Sequence, residues 1–203
     1  MSNKIVILSC CLLSLTGSLK GEEGNWIRLF NGHSFQGWEA NEHPDSWSIA
    51  DSAIIANGPR SHLFYMGEHQ PFRNFILRVE VYTERWSNGG IYFLTEFQSR
   101  GWPKQGFEVQ VNNSYIDWKK TGSLYGIDNV LFFSPAEDNQ WWTQEIVVDS
   151  RHIVIKIDGE TVVDHILREG IRPDAGTIAL QAHDRRSVVK YRNIRIKRLQ
   201  GSP

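Results

Sequence analysis

The densest group of chemically capable side chains on one predicted element is Gly106-Phe107-Glu108-Val109-Gln110-Val111. Strand alternation sends Phe107, Val109 and Val111 to one face and Glu108 and Gln110 to the other, so a carboxylate and an amide enter the same space. A carboxylate on a sheet face, flanked in sequence by Trp102 and Trp118, can serve as general base or acid, because partial desolvation lifts its pKa towards neutrality. On alternation alone, an ordinary solvated glutamate explains the same pattern.

A second group closes the predicted strand Thr177 to Ala182, where Gln181 and His183 share one face and Ile178, Leu180 and Ala182 the other. His183 is a candidate acid, base or ligand, although a single histidine at a strand end is often only a hydrogen-bonded surface residue. Ser87-Asn88-Gly89-Gly90 precedes the strand Ile91-Tyr92-Phe93. Its glycines suit either a turn, the favoured reading, or a close approach of backbone to ligand. Thr121-Gly122-Ser123-Leu124-Tyr125-Gly126 is a Gly-flanked loop whose phenol can bond a sugar hydroxyl or cap a core. His33, His43, His62 and His69 are scattered without paired metal spacing. A divalent cation would therefore need the fold to assemble its ligands, the metal site is left unknown, and no cofactor is otherwise required. Eight tryptophans cannot all be deep core, since each indole N–H needs a partner. Some are expected to line a groove for uncharged sugars, and at least half to anchor core and loops. Nothing resembles a phosphate loop, a dinucleotide fingerprint, a nucleophile elbow or a Cys/His nucleophile site.

The elements that must position these residues read as all-β. Period-two alternation recurs in short segments bounded by Gly, Asn, Asp or Pro, and helical spacing is not sustained. Phe75 to Tyr82, Gly90 to Leu94, Phe107 to Val111, Gln144 to Val148, Ile153 to Ile157, Ile178 to Ala182 and Val189 to Ile196 are predicted strands, mainly antiparallel. Asp158-Gly159 predicts a type I′ hairpin, Asp149-Ser150-Arg151 a second hairpin, and Asp51-Ser52 a turn between two short strands. Residues 112–139 are predicted as long loops over one end or face. Two packed antiparallel sheets bury such strands most simply, and their twist would curve one face into a groove.

The 203 residues, 40% hydrophobic and 22% charged, fit one large β domain. A formal charge of -1 supplies no basic footprint, which argues against nucleic acid or an anionic membrane surface and for an uncharged partner. Lys4, the apolar run Ile5 to Leu15 and the small residues Thr16, Gly17, Ser18 and Gly21 read as a signal peptide over 1–21, with one domain over 22–203. The run is roughly eleven residues, against about 20 for a spanning helix. Both cysteines, Cys10 and Cys11, lie in this leader, so the mature chain is expected to have no disulfide. A lipoprotein anchor at Cys10 is the weaker alternative to a periplasmic or secreted protein.

The ordered motifs resemble the 3-keto-disaccharide hydrolase family. They run from Trp26-Ile27-Arg28-Leu29-Phe30-Asn31-Gly32 and Phe35-Gln36-Gly37-Trp38, through Asn88-Gly89-Gly90-Ile91-Tyr92-Phe93, Gly106-Phe107-Glu108-Val109-Gln110 and Thr121-Gly122-Ser123-Leu124-Tyr125-Gly126. They end with Ile178-Ala179-Leu180-Gln181-Ala182-His183-Asp184 and Tyr191-Arg192-Asn193-Ile194-Arg195-Ile196. The resemblance implies a concanavalin A-like jelly-roll sandwich and cleavage of glycosides oxidised at C3. A C3 ketone acidifies the C2–H, so base-assisted elimination of the C1 substituent, then hydration, becomes the expected route. In that scheme Glu108 or His183 moves the proton, Tyr125 or Gln181 polarises the ketone, and Asn88, Gln110, Trp102 and Trp118 hold the sugar. The chain departs from the family pattern at Ala182, where an aspartate commonly precedes the histidine; Asp184 is the available replacement for orienting His183. A non-catalytic, lectin-like carbohydrate-binding module and an interaction domain of a cell-surface assembly are the competing readings.

Overall fold

The computed structural model describes residues 25–200, so the leader over 1–21, with Cys10 and Cys11, lies outside the described residues. Strands β1 (Trp26–Arg28), β2 (Trp38–Ala40), β3 (Trp47–Ala50), β4 (Ala53–Ala56), β5 (Ser61–Tyr65), β6 (Phe75–Thr83) and β7 (Gly89–Thr95) form the first half. The second half comprises β8 (Phe107–Val111), β9 (Trp141–Asp149), β10 (His152–Ile157), β11 (Glu160–Ile166), β12 (Thr177–Ala182) and β13 (Val189–Arg198). The fold is an all-β jelly-roll sandwich. An eight-stranded sheet runs β11-β10-β9-β6-β13-β4-β3 with β1 on β13, and a five-stranded sheet runs β2-β5-β12-β7-β8.

Alternation explains the packing. Phe75, Leu77, Val79 and Val81 of β6 are fully buried, and they join Ile91, Phe93, Val109, Val111, Ile178 and Leu180 of the facing sheet in one core. Burying each such side chain contributes on the order of 2 kcal/mol. The outward face of β6 is finished differently. Arg78 opposes Glu145, and Glu80 opposes Arg192, in direct register, and each pair is an ion pair. Trp26 lies under Arg78 and Arg195, and Trp141 under Arg192, so cationic stems seal these indoles on the outer face of the larger sheet.

The anticipated turns are present. Asp158 and Gly159 both have positive φ, of 49° and 88°, as do Asp51 and Ser52, at 50° and 58°, which is the backbone a type I′ hairpin demands. Strand β5, Ser-His-Leu-Phe-Tyr, escapes the alternation rule because all five residues are buried. Its inner residues Leu63 and Tyr65 face the core, while His62 and Phe64 are covered by loops on the outer side. Gly90 begins a strand as its alternation predicts, and Gly89, read in the favoured interpretation as part of a turn, joins it at the start of β7.

Candidate active site

The outer face of the five-stranded sheet carries a cavity of about 290 Å³ lined by Tyr92, Trp102, Glu108, Gln110, Tyr125, Gln181 and His183. Neighbouring strands β12, β7 and β8 deliver its floor, since Tyr92 pairs directly with Glu108, and Gly90 with Gln110. Gly90 makes room there. A Cβ on it would lie 2.3 Å from Glu108 Oε1, so the absent side chain is the space the carboxylate occupies.

Both oxygens of Glu108 are held. The Tyr92 hydroxyl donates to Oε2 at 2.7 Å and Gln181 Nε2 to Oε1 at 3.0 Å. Burial pushes the Glu108 carboxyl up to about 7, against the lowering effect of those two hydrogen bonds and the Lys119 charge. A carboxyl poised there exchanges protons readily at neutral pH. The Tyr92 phenol is raised well above its ordinary value, first by burial and then by the adjacent Glu108 charge, so it remains a donor.

The walls come from the loop between β8 and β9. Its segment 121–125 runs back along β8, with Gly122 N donating to Gln110 O, Ser123 O accepting from Gln110 N, and Tyr125 N donating to Glu108 O at 2.9 Å. This return covers the edge of β8 and fixes Tyr125 beside Glu108. Gly122, at φ +84°, is required where a Cβ would meet Val162 Cγ2 at 2.6 Å. Lys119 Nζ sits 4.0 Å from the centroid of the Tyr125 ring, bringing a cation to the rim. Opposite, His183 Nδ1 is 2.8 Å from Asp184 Oδ2, and its ring lies between Trp102 and Tyr115 at centroid distances of 5.7 and 5.6 Å. Burial opposes ionisation of Asp184, but hydrogen bonds from His183 and the Arg186 backbone outweigh it and hold the carboxyl below its usual range.

The chain matches the model of the 3-keto-alpha-glucoside-1,2-lyase-like domain over residues 25–197. It belongs to that family. Comparison with curated proteins gives no match. A solved structure of a candidate glycosyl hydrolase from Parabacteroides distasonis is similar with a TM-score of 0.72 at 20% identity, covering 87% of this chain and 94% of that one. A carbohydrate binding module from Bacillus subtilis gives 0.58 at 12% identity over 79% and 95% of the two chains. A β-glucanase from Bacillus licheniformis gives 0.60 at 11% over 88% and 100%. These likenesses show the jelly-roll fold. Family membership makes the function of this chain carbohydrate-directed.

Within this lyase-like domain the structure brings together Glu108, His183, Tyr125, Gln110, Gln181 and Trp102 in one cavity. Asn88 stands behind it. It is buried, its Oδ1 accepts from Gln110 Nε2 at 2.7 Å, and it therefore fixes Gln110 and is not part of the lining. Trp118 lies further out, half exposed against Phe132, and is also not among the lining residues. The side chain of Ala182 packs in the core, on the opposite face from Gln181 and His183, so a carboxylate at 182 would point away from the cavity. Asp184 orients the histidine instead. Among the described residues no group of three or more His, Cys, Asp or Glu is placed to hold a metal ion.

Three residues escape sequence reasoning. Tyr92 reads as an ordinary strand aromatic, although its alternation with Ile91 and Phe93 already turns it to the face of Glu108 once the register is known. Lys119 carries no motif. His62 shows no metal spacing, yet it lies fully buried beside Tyr92 and Trp102, with ring centroids at 5.2 and 5.4 Å.

Proposed function

We propose that this protein is an exported enzyme that cleaves 3-keto-glycosides by base-assisted elimination across C1 and C2, with hydration of the product as a second step. The observation that carries this reading is the Glu108 carboxyl, held by Tyr92 and Gln181 on the floor of a sugar-sized cavity and pushed up to about 7. Such a group can accept a proton from carbon and return one without leaving its working pH range.

In the proposed reaction Glu108 removes the C2 proton, made acidic by the C3 ketone, and the electron pair moves onto the C3 oxygen as an enolate. Tyr125 is the donor best placed to bond that oxygen, since Gln181 Nε2 is already engaged by Glu108 and Tyr92. The Lys119 ammonium over the Tyr125 ring adds positive potential where negative charge develops. Collapse of the enolate restores the ketone, forms the C1–C2 double bond and breaks the bond from C1 to the leaving oxygen. His183, oriented by Asp184, supplies the proton to that oxygen. Water then adds its hydroxyl at C1 and gives its remaining proton to His183, while Glu108, exchanged with solvent, returns a proton to C2. Gln110, fixed by Asn88, and Trp102 hold the ring.

Export rests on the pattern of residues 1–21 and on the expectation that glycosides from outside the cell are met there. N-terminal sequencing of the protein recovered outside the cytoplasm should begin just after Ser18 or Gly21. A chain that starts at Met1 in that fraction would remove the leader.

The deciding assay incubates the protein with 3-keto-trehalose, 3-keto-sucrose and aryl 3-keto-glucosides and follows release of sugar or aglycone. Solvent deuterium at C2 of the hydrated product is the expected signature. His183→Ala should lower turnover by about 10²-fold or more, and by less for an aryl leaving group that needs no proton. Tight binding of every substrate with no turnover would establish the lectin-like alternative instead.

A further inference from the structure

Among the described residues, His62 is a buried titratable side chain on the cavity side of the five-stranded sheet that the reaction above leaves unused. It is fully buried, and among the described residues neither Nδ1 nor Nε2 has a hydrogen-bond partner. Its direct cross-strand partner on β12 is Gln181, whose amide oxygen is likewise buried and without a partner. Gln181 has committed its nitrogen to Tyr92 and Glu108, so its oxygen is left as an acceptor. Buried polar atoms are almost always hydrogen-bonded, and two such neighbouring residues on one face beside a ligand cavity call for a common partner.

The Trp102 indole covers His62 from a backbone that is held by hydrogen bonds. The Trp102 indole stands edge-on to His62 and is 43% exposed. Its main chain is tied down, because Gln98 Nε2 donates to Trp102 O and to Arg100 O, and Gln98 Oε1 accepts from Lys104 N. Gly101 N adds a bond to Glu42 Oε1. The indole itself makes ring contacts to His62 and His183 and meets the Arg60 guanidinium, 5.4 Å from its centroid. A change of its side-chain torsions would extend the cavity to His62.

We infer that His62 and the Gln181 amide oxygen form a hydroxyl-binding subsite beneath the Trp102 indole, which selects the substrate by a hydroxyl remote from the reacting carbons. This rests on the 3-keto-glycoside reading, in which C1, C2 and C3 of the ring react and the hydroxyls at C4 and C6 remain for recognition. The partner is a neutral alcohol. Burial, reinforced by the Arg60 charge, lowers His62 to about 4, so near neutral pH its ring offers one donor and one acceptor, and a hydroxyl can accept from it while donating to Gln181. A carboxylate or phosphate would gain no ion pair from a neutral imidazole.

The test is equilibrium binding of a 3-keto-glucoside and its 4-deoxy and 6-deoxy counterparts, by titration calorimetry in the Glu108→Gln protein so that ligand survives. One deoxy sugar should bind roughly 10- to 100-fold more weakly than the parent, the usual consequence of leaving buried polar groups unpaired. His62→Phe, which keeps the ring packing but removes both nitrogens, should bring parent and deoxy sugar within about 3-fold of each other while melting no lower than the unsubstituted chain. His62→Leu serves the same purpose if the larger ring does not fit. Equal binding of all three sugars by the histidine-containing protein, or discrimination unchanged in both variants, overturns the subsite. Because the readout is binding, absence of turnover in the unsubstituted enzyme would instead count against the elimination mechanism alone.

Discussion

The Tyr92 hydroxyl donates to Glu108 Oε2 at 2.7 Å from the directly paired position on the neighbouring strand. The contact stabilises the carboxylate form and so restrains the rise in pKa that burial imposes. Tyr92→Phe is expected to raise the pKa of Glu108 further and to move the ascending limb of kcat/KM to higher pH. At pH 7 the rate should fall about tenfold, the worth of one hydrogen bond to a charged group, and recover at pH 9. A loss that stays constant across pH would show that the hydroxyl contacts substrate instead.

Glu108→Gln separates catalysis from stability. Turnover should drop by a factor on the order of 10² or more. The sign for stability follows from linkage: the folded carboxyl is raised to about 7 from 4.5, so the folded state keeps its proton where the unfolded chain has lost it. The contribution of the protonated form is complete below about pH 4.5, declines as pH rises and is gone above about 7, leaving a penalty of roughly 3 kcal/mol. The glutamine variant should therefore melt higher than the parent at pH 8 and lose that advantage at pH 4. Parallel melting curves at the two pH values would contradict the raised pKa.

Gly90→Ala tests the space beneath the carboxylate. The added methyl group would meet Glu108 Oε1 at 2.3 Å, and Gly90 is a strand residue whose backbone an alanine can adopt. The fold should persist by circular dichroism while kcat falls at least tenfold as Glu108 is displaced from Tyr92 and Gln181. Unchanged kcat would mean that Glu108 works equally well from another position.

Gln144 concerns stability alone. It is fully buried on β9, opposite Val79 and Ile157, and neither amide atom has a partner among the described residues. Gln144→Leu should stabilise the protein by about 1–3 kcal/mol in denaturant unfolding, with kcat/KM unchanged. A lower midpoint would show that the amide is paired through groups outside these contacts.

The strands that alternate cleanly were legible because one face of each meets the core and the other meets solvent or a polar site. Phe75–Thr83 follows that rule, and in Phe107–Val111 and Thr177–Ala182, whose outer faces are largely or wholly covered, the alternation of residue type alone placed Glu108 with Gln110 and Gln181 with His183 on common faces. The hairpin at Asp158-Gly159 was equally local, since the turn itself demands positive φ at both positions. Strand β5 was not legible: loops bury its outer face, which erases the period-two contrast on which recognition depends.

The sequence by itself determined the all-β class, the faces on which the polar residues lie and, through the order of its motifs, the family. Which faces meet was decided by strand order and register, because contacts between residues far apart in the chain leave no local signal. Pairing β7 with β8 set Tyr92 against Glu108, pairing β12 with β5 set Gln181 against His62, and the return of 121–125 along β8 brought Tyr125 and Lys119 to the rim. The same register put Asn88 behind Gln110, where its side chain bonds the amide instead of sugar. The proton affinity of Glu108 belongs to the tertiary structure too, since it comes from burial under loops that the strand pattern alone does not place.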